Sequence, residues 1–171
     1  LNEHTRPDEI ADMLSPLKEG KHIGILSEAG CPAVADPGSD LIRIGHNQGI
    51  EVIPLAGPSS ILLALMGSGL NGQQFSFCGY LPRERNERIK AIRELEKRTL
   101  VKNETQIFIE APYRNQNLLD DILEQCSGKT RLCLAADLTS SRQYVKTKTI
   151  AEWKRRIPDI QRIPVVFVLG Q

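Results

Sequence analysis

The chain has 171 residues, of which 40% are hydrophobic and 25% charged, and its formal net charge is +1. These values are typical of an ordinary globular protein of one or two small domains that can bury a real core. Because the net charge is so small, binding of nucleic acid through overall charge is excluded, and such a partner would need a local basic patch.

Membrane and metal functions are also disfavoured. No apolar run approaches the roughly 20 residues of a membrane-spanning helix, and the first residues lack the pattern of a secretory signal, so we expect a cytoplasmic protein that does not contact a membrane. The four cysteines are widely spaced without a Cys-x-x-Cys pair, and the three histidines are scattered, which predicts reduced cysteines and no metal site. These residues are Cys31, Cys78, Cys126, Cys133, His4, His22 and His46.

The first part of the chain alternates between helical and strand patterns. A helix with an apolar face begins at Pro7. Two short apolar segments, residues 23–26 and 50–53, are predicted to be strands, and the helix between them is expected to have Asp36 as its N-cap. Strands joined by a helix are typical of a parallel sheet, and open α/β sheets bind ligands at the carboxyl ends of such strands.

Each of these two segments runs into a loop rich in glycine and proline. In the first loop, residues 27–38, Gly30 has no side chain and lets a flat ligand come close, while the prolines keep the path rigid. In the second loop, residues 54–60, Ser59 and Ser60 either contact that ligand or cap the following helix. Neither loop has a phosphate-binding glycine pattern, so a ligand without phosphates is favoured.

A polar, glycine-rich segment, residues 67–74, predicts a boundary between two domains, residues 1–70 and 71–171. Residues 143–149 alternate weakly and are expected to have antiparallel neighbours, so the second sheet is predicted to be mixed. Further strands are predicted at residues 75–80, 106–110, 131–136 and 164–169.

The first domain looks incomplete, because only two strands precede the linker. A parallel sheet usually has four or more strands and is covered on both faces. We therefore expect its N-terminal strands to be missing from this sequence. The predicted fold class is α/β, with two α/β domains, a mostly parallel first sheet and a mixed second sheet.

Four motifs follow one another along nearly the whole chain. They are S-E-A-G-C-P-A-V-A-D-P-G, V-I-P-L-A-G-P-S-S, F-S-F-C-G-Y-L-P and I-F-I-E-A-P-Y-R. In this order and spacing they resemble the tetrapyrrole methylase-like superfamily, and within it the small-subunit ribosomal RNA 2′-O-methyltransferases that modify a cytidine. Glu28 and Cys31 depart from the S-D-A-G-T-P of that branch, and the glycine-rich segment of the family's first strand is absent.

The resemblance implies an enzyme that binds S-adenosylmethionine in a cleft between two α/β domains, without a metal, and that forms a homodimer. Carried over by motif, eight residues would contact the cofactor. They are Gly30, Cys31, Pro32, Ser59 and Ser60 in the first domain and Ala111, Ala136 and Pro164 in the second.

Methyl transfer from a sulfonium to a ribose hydroxyl is an in-line displacement, and a carboxylate within reach could accept the hydroxyl proton. Glu28 and Glu110 are the two candidates for this catalytic base, because both stand at the ends of predicted strands. The alternative for Glu28 is a hydrogen bond that braces the first loop, and the alternative for Glu110 is an ion pair with Arg114.

Four residues are candidates for substrate binding. Arg114 could hold a phosphate and Tyr113 could stack on a base, with structural packing as the alternative for Tyr113. The basic run that includes Arg83 and Arg85 suits an RNA backbone, but interleaved glutamates are typical of a solvated helix face. Trp153, beside the basic residues 154–156, is interpreted as a packed ring next to a solvated helix end.

Three functions from different classes remain open on the sequence. The first is a ribose methyltransferase acting on small-subunit ribosomal RNA. The second is a methyltransferase acting on a small molecule such as a tetrapyrrole, whose carboxylates arginines would hold. The third is a non-catalytic dimeric module that retains the scaffold.

Overall fold

The structure is a computed structural model that describes residues 1–2, 5–28 and 30–171. Its contacts divide the chain into two compact units, Leu1–Ser59 and Ser60–Gln171. His4 and Ala29, the latter part of the first loop motif, lie outside the described residues.

Among its described residues, the first unit contains two α-helices, α1 (Pro7–Met13) and α2 (Ser39–Asn47), and a 3₁₀ turn, Ser15–Glu19. Its buried core consists of Ile10 and Leu14, which lie one helical turn apart, and Leu41 of α2. The prediction that Asp36 caps α2 is wrong, because the N-cap is Gly38, with φ 141°. The chain is still turning at Asp36, between Ala35 at φ 55° and Gly38, so the helix cannot begin there.

The mostly parallel first sheet is also wrong, since neither residues 23–26 nor residues 50–53 form a strand. The structure records no backbone hydrogen bond from the amides of residues 22–26 and 51–57 to any described residue. Leu26 and Ile53 are 94% and 68% exposed. A strand exists only through hydrogen bonds to a neighbour, and apolar pattern alone does not supply that neighbour.

The second unit has the predicted strands in an α/β arrangement. Its helices are α3 (Ser60–Ser68), α4 (Arg85–Lys102), α5 (Asn115–Gln125) and α6 (Ile150–Arg155), and its strands are β1 (Phe75–Tyr80), β2 (Thr105–Ile109), β3 (Arg131–Ala136), β4 (Tyr144–Thr149) and β5 (Val165–Gly170). A 3₁₀ turn, Pro112–Arg114, joins β2 to α5.

The five strands form one mixed sheet in the order β1-β2-β5-β3-β4. Only β1 and β2 are parallel, while β2 with β5, β5 with β3 and β3 with β4 are antiparallel. The prediction of a mixed second sheet is therefore confirmed. β4, which covers the weakly alternating residues, is antiparallel to its neighbour β3, as predicted. Because of this pairing, the carboxyl ends of β1, β2 and β3 share one sheet edge with the amino ends of β4 and β5.

Helices cover both faces of the sheet. On one face α3 buries Ala64 and Leu65 against side chains of β3 and β5, and on the other face α4, α5 and α6 cover a larger core that includes Phe167. In that core Phe108 and Phe167 stack with ring centroids 5.6 Å apart. The division after Ser59 places α3 with the second unit, because α3 packs on this sheet.

Candidate functional site

The two glycine- and proline-rich loops meet within the first unit. The Cys31 thiol donates a hydrogen bond to the Pro58 carbonyl oxygen at a distance of 3.5 Å. Cys31 and Pro32 are half-buried, and Ser59, the next residue after Pro58, is 9% exposed. The structure therefore places the predicted cofactor residues of the first loop beside the end of the second.

The first loop has a backbone that ordinary side chains avoid. Gly30 has φ +81°, and a Cβ built there would meet nothing within 4 Å, so the space beside this glycine is open. Ala33 and Ala35 also have positive φ, 62° and 55°. Left-handed backbone at alanine costs about 1–2 kcal/mol per residue, and such strain concentrates at functional sites.

Glu28, the first candidate for the catalytic base, is exposed. The structure records no hydrogen bond between its side chain and another described residue, so the alternative of a loop-bracing bond is not observed. Ser60, the last residue of the second loop, is exposed and is the first residue of α3.

The three predicted cofactor residues of the second unit share one edge of the sheet. Ala111 follows the carboxyl end of β2, Ala136 ends β3, and Pro164 precedes β5. The Asp137 amide donates to the Pro164 carbonyl oxygen at 3.0 Å, and the Arg162 amide donates to the Pro112 carbonyl oxygen at 2.8 Å. These bonds draw the loop before β5 against the ends of β2 and β3.

Glu110 lies at this edge, and its carboxylate already has an ion-pair partner and a hydrogen-bond donor. Its side chain is 1% exposed and forms an ion pair with Arg114, and its Oε1 accepts a hydrogen bond from the Ala111 amide at 2.7 Å. The ion-pair alternative for Glu110 is thus what the structure shows. The Glu110 carboxylate is thus occupied by two donors, whereas the Glu28 side chain is exposed.

The predicted substrate residues fall into two groups. Tyr113 is 63% exposed, and the Arg114 guanidinium lies 5.5 Å from its ring centroid. Arg85 forms ion pairs with Asp121 and Glu124 at 3.0 and 2.8 Å. The hydrogen bond with Asp121 raises the pKa of Arg85 above its ordinary value. Arg83 is exposed and forms no ion pair with a described residue.

Asn115 is a residue of this edge that the sequence reasoning missed. Its side chain is fully buried, and its Nδ2 donates to the Ile163 carbonyl oxygen at 2.6 Å, which fastens the loop before β5 to the start of α5. Its Oδ1 has no partner among the described residues. The signal was present, because Asn115 lies three and four residues before the buried Leu118 and Leu119 and so shares their helix face.

Over residues 1–2, 5–28 and 30–171, no group of three or more His, Cys, Asp or Glu side chains is placed to hold a metal ion. In the same residues no helix combines the length and apolarity that crossing a membrane requires.

Comparisons with known proteins agree with the motifs. No protein-family model matches the chain. Proteins named ribosomal RNA small subunit methyltransferase I match it with 34% identity in Halalkalibacterium halodurans, over 90% of this chain and 53% of the relative, and with 37% identity in Thermotoga maritima, over 84% and 62%. The relative from Vibrio cholerae is 32% identical over 89% of this chain and 51% of its own length. The chain thus spans about half the length of most of these relatives.

Solved structures share the fold at low sequence identity. The methyltransferase CobJ aligns with a TM-score of 0.67 and 17% identity over the whole of this chain and 73% of its own. Uroporphyrin-III C-methyltransferase from Thermus thermophilus, solved with S-adenosylhomocysteine, aligns with a TM-score of 0.56 and 15% identity over 96% of this chain and 73% of its own. The resemblance predicted from the four motifs is confirmed: this chain is a homologue of the ribosomal RNA small subunit methyltransferase I proteins and has the fold of the tetrapyrrole methylases.

Proposed function

We propose that this protein is an S-adenosylmethionine-dependent methyltransferase that modifies the ribose 2′-hydroxyl of a cytidine in small-subunit ribosomal RNA. The observation that carries the proposal is 30–37% identity to relatives named for methylation of that RNA. The contact between Cys31 and Pro58 supports it, because it brings together the two loops that the resemblance assigns to the cofactor.

The cofactor would lie against Gly30, Cys31, Pro32, Ser59 and Ser60. The open space beside Gly30 fits a ligand that approaches the backbone closely. Bound there, S-adenosylmethionine supplies a methyl group on a positively charged sulfur. Ala111, Ala136 and Pro164, which share one sheet edge, would complete the pocket in a cleft between the two domains.

The contribution of the protein to the reaction is alignment and proton transfer. Holding the acceptor hydroxyl in line with the methyl group is worth up to roughly 7–11 kcal/mol of the barrier. Glu28, exposed and without a hydrogen-bond partner among the described residues, would accept the hydroxyl proton as the new oxygen–carbon bond forms. Glu110 would instead hold Arg114 in place.

The RNA would be contacted by Tyr113 and by Arg83, which are exposed, with Arg114 oriented by Glu110 toward a phosphate. Arg85 contributes charge at the same helix start although it is paired with Asp121. A domain boundary after residue 70, which the glycine-rich segment 67–74 indicates, belongs to the same proposal. So do a cytoplasmic location and a homodimer, the latter implied by the resemblance.

Calorimetry with S-adenosylmethionine tests the cofactor site. We expect the protein to bind it and Gly30→Val to abolish binding, because a branched side chain fills the space beside the loop and strains its backbone. Gly49→Val is the matched control, since Gly49 also has positive φ, 72°, with nothing within 4 Å of its Cβ.

Equal binding by Gly30→Val and Gly49→Val would show that the cofactor does not lie at the first loop. A map of ribose methylation in ribosomal RNA from cells that lack the gene then identifies the acceptor. If no small-subunit ribose methyl is lost, the proposed substrate is wrong.

A further inference from the structure

Basic residues are concentrated in one segment of the second unit. Residues 142–162, which contain β4, α6 and the loop after it, carry seven Lys and Arg but only two Asp and Glu, whereas the whole chain has 22 against 21. The rest of the chain is therefore more acidic than basic. A local patch of this kind is what nucleic-acid binding requires in a protein with almost no net charge.

The fold arranges this segment around a groove of about 560 Å³. β4 is an edge strand, and Tyr144, Lys146 and Lys148 pair with Ala136, Leu134 and Leu132 of β3, so their side chains share the sheet face that α6 covers. Tyr144, Lys148 and Arg156 line the groove. Ala136 lines it as well, so the groove adjoins the sheet edge of the proposed cofactor pocket.

Two of the cations in the groove form no ion pair with a described residue. Neither Lys148 nor Arg156 forms an ion pair with any residue that the structure describes. The Lys148 ammonium lies 4.7 Å from the ring centroid of Trp153. Trp153 lines the groove and is fully buried, and its indole N–H donates to the Leu132 carbonyl oxygen at 2.9 Å, which fixes the ring against β3.

The two carboxylates that line the groove have other partners. Asp137 lies 3.5 Å from Arg142, and Asp159 accepts a hydrogen bond from the Gln161 amide of its own loop at 3.0 Å.

Glu152 of α6 accepts a hydrogen bond from the Thr149 amide at 2.8 Å. The pKa of Glu152 is lowered by its bonds with Thr149 first and then by the charges of Arg131 and Lys148. The charge of Lys148 is thus partly offset by Glu152, and that of Arg156 is left for a ligand.

An aromatic ring stands beside these cations. Tyr144 is 40% exposed at the start of β4. Partial burial raises its pKa and the charge of Arg156, which lines the same groove, acts in the opposite direction. A basic groove with an exposed aromatic ring is the arrangement that binds single-stranded RNA, with phosphates on the cations and a base stacked on the ring.

We propose that the groove formed by Tyr144, Lys148 and Arg156 is a docking site for the backbone of single-stranded RNA. The inference rests on the proposed function and extends it, because it adds an RNA contact beyond the motif residues Tyr113 and Arg114. The cations would hold two phosphates, and Tyr144 would stack on a base between them.

The test is fluorescence anisotropy with a short fluorescein-labelled single-stranded RNA, titrated at several salt concentrations. We expect Lys148→Gln/Arg156→Gln to reduce the magnitude of the negative slope of log K against log salt by about 1.4. With equal binding expected at about 1 M salt, this is roughly a 25-fold loss of affinity at 0.1 M salt. We expect Tyr144→Leu to weaken binding at least about fivefold and Tyr144→Phe to bind like the wild type.

The matched control is Lys97→Gln/Lys102→Gln, which removes the same charge from exposed positions of α4. Circular dichroism confirms that each variant is folded. An unchanged slope for the groove variant, or the same loss in the α4 control, overturns the groove proposal while RNA binding by the wild type stands. If the wild type binds no RNA, the groove and the proposed substrate both fail, and calorimetry with S-adenosylmethionine still decides the cofactor site separately.

Discussion

One arginine of the basic run at the start of α4 is buried in an ion pair with α5. Arg88 and Asp121 have side chains only 9% and 5% exposed and lie 2.6 Å apart, and Arg88 Nη1 also donates to the Arg83 carbonyl oxygen at 2.8 Å. Arg88 therefore joins α4 to α5 and is not available to RNA. Burial of one arginine among several exposed ones depends on which side chain faces α5.

We expect Asp121→Ala to lower the free energy of unfolding by about 3–5 kcal/mol, because it leaves the buried Arg88 guanidinium without a negatively charged partner. The control is Glu124→Ala, which breaks only the exposed pair with Arg85 and should cost about 1 kcal/mol or less. Urea titration of both variants measures the difference. Similar midpoints for the two would mean that Arg88 finds water or another acceptor.

At the level of elements, Glu104 links α4 and β1 to the amino end of β2. Its carboxylate accepts hydrogen bonds from Arg98 of α4, at 2.8 and 3.1 Å, and from Ser76 of β1. These bonds, that from Arg98 above all, lower the pKa of Glu104 from its ordinary value of 4.5 to about 2. The ionised carboxylate thus helps to hold the end of α4 against the parallel pair of strands.

This coupling predicts how stability depends on pH. Since the unfolded chain takes up the Glu104 proton near pH 4.5 and the folded protein only near pH 2, the stabilisation is complete above about pH 5 and is lost as the pH falls toward 2. We expect the difference in unfolding free energy between the wild type and Glu104→Gln to shrink over that range. Denaturant titrations at a series of pH values measure it, and a constant difference would contradict the assignment.

At the scale of the whole molecule, the two units differ in how their backbone is held. In the second unit β3 and β5 each have hydrogen-bonded neighbours on both sides, and their side chains are almost all buried. In the first unit the core consists of a few side chains around Ile10, Leu14 and Leu41. Local stability follows buried contacts and backbone hydrogen bonds, so the two units should open at different free energies.

Hydrogen exchange followed by mass spectrometry checks this expectation. Amides of β3 and β5 should be strongly protected. Those of residues 22–26 and 51–57 should exchange almost as fast as in an unfolded chain, because they have no backbone partner in the part of the chain that the structure describes. Added S-adenosylmethionine should slow exchange at the amides of Gly30 and Cys31 but not within α2. Protection of residues 22–26 equal to that of β3 would contradict the description of the first unit.

The sequence by itself determined the order and type of the elements of the second unit and the resemblance that its four motifs carry. It succeeded there because alternation, helix periodicity and rigid glycine–proline loops are local properties of the chain. Tertiary structure alone decided that residues 23–26 and 50–53 form no strand, that Glu110 is held by Arg114, that Arg88 is buried, and that Tyr144, Lys148 and Arg156 surround one groove. Each of these depends on a partner distant in sequence, and no local pattern specifies which partner the folded chain supplies.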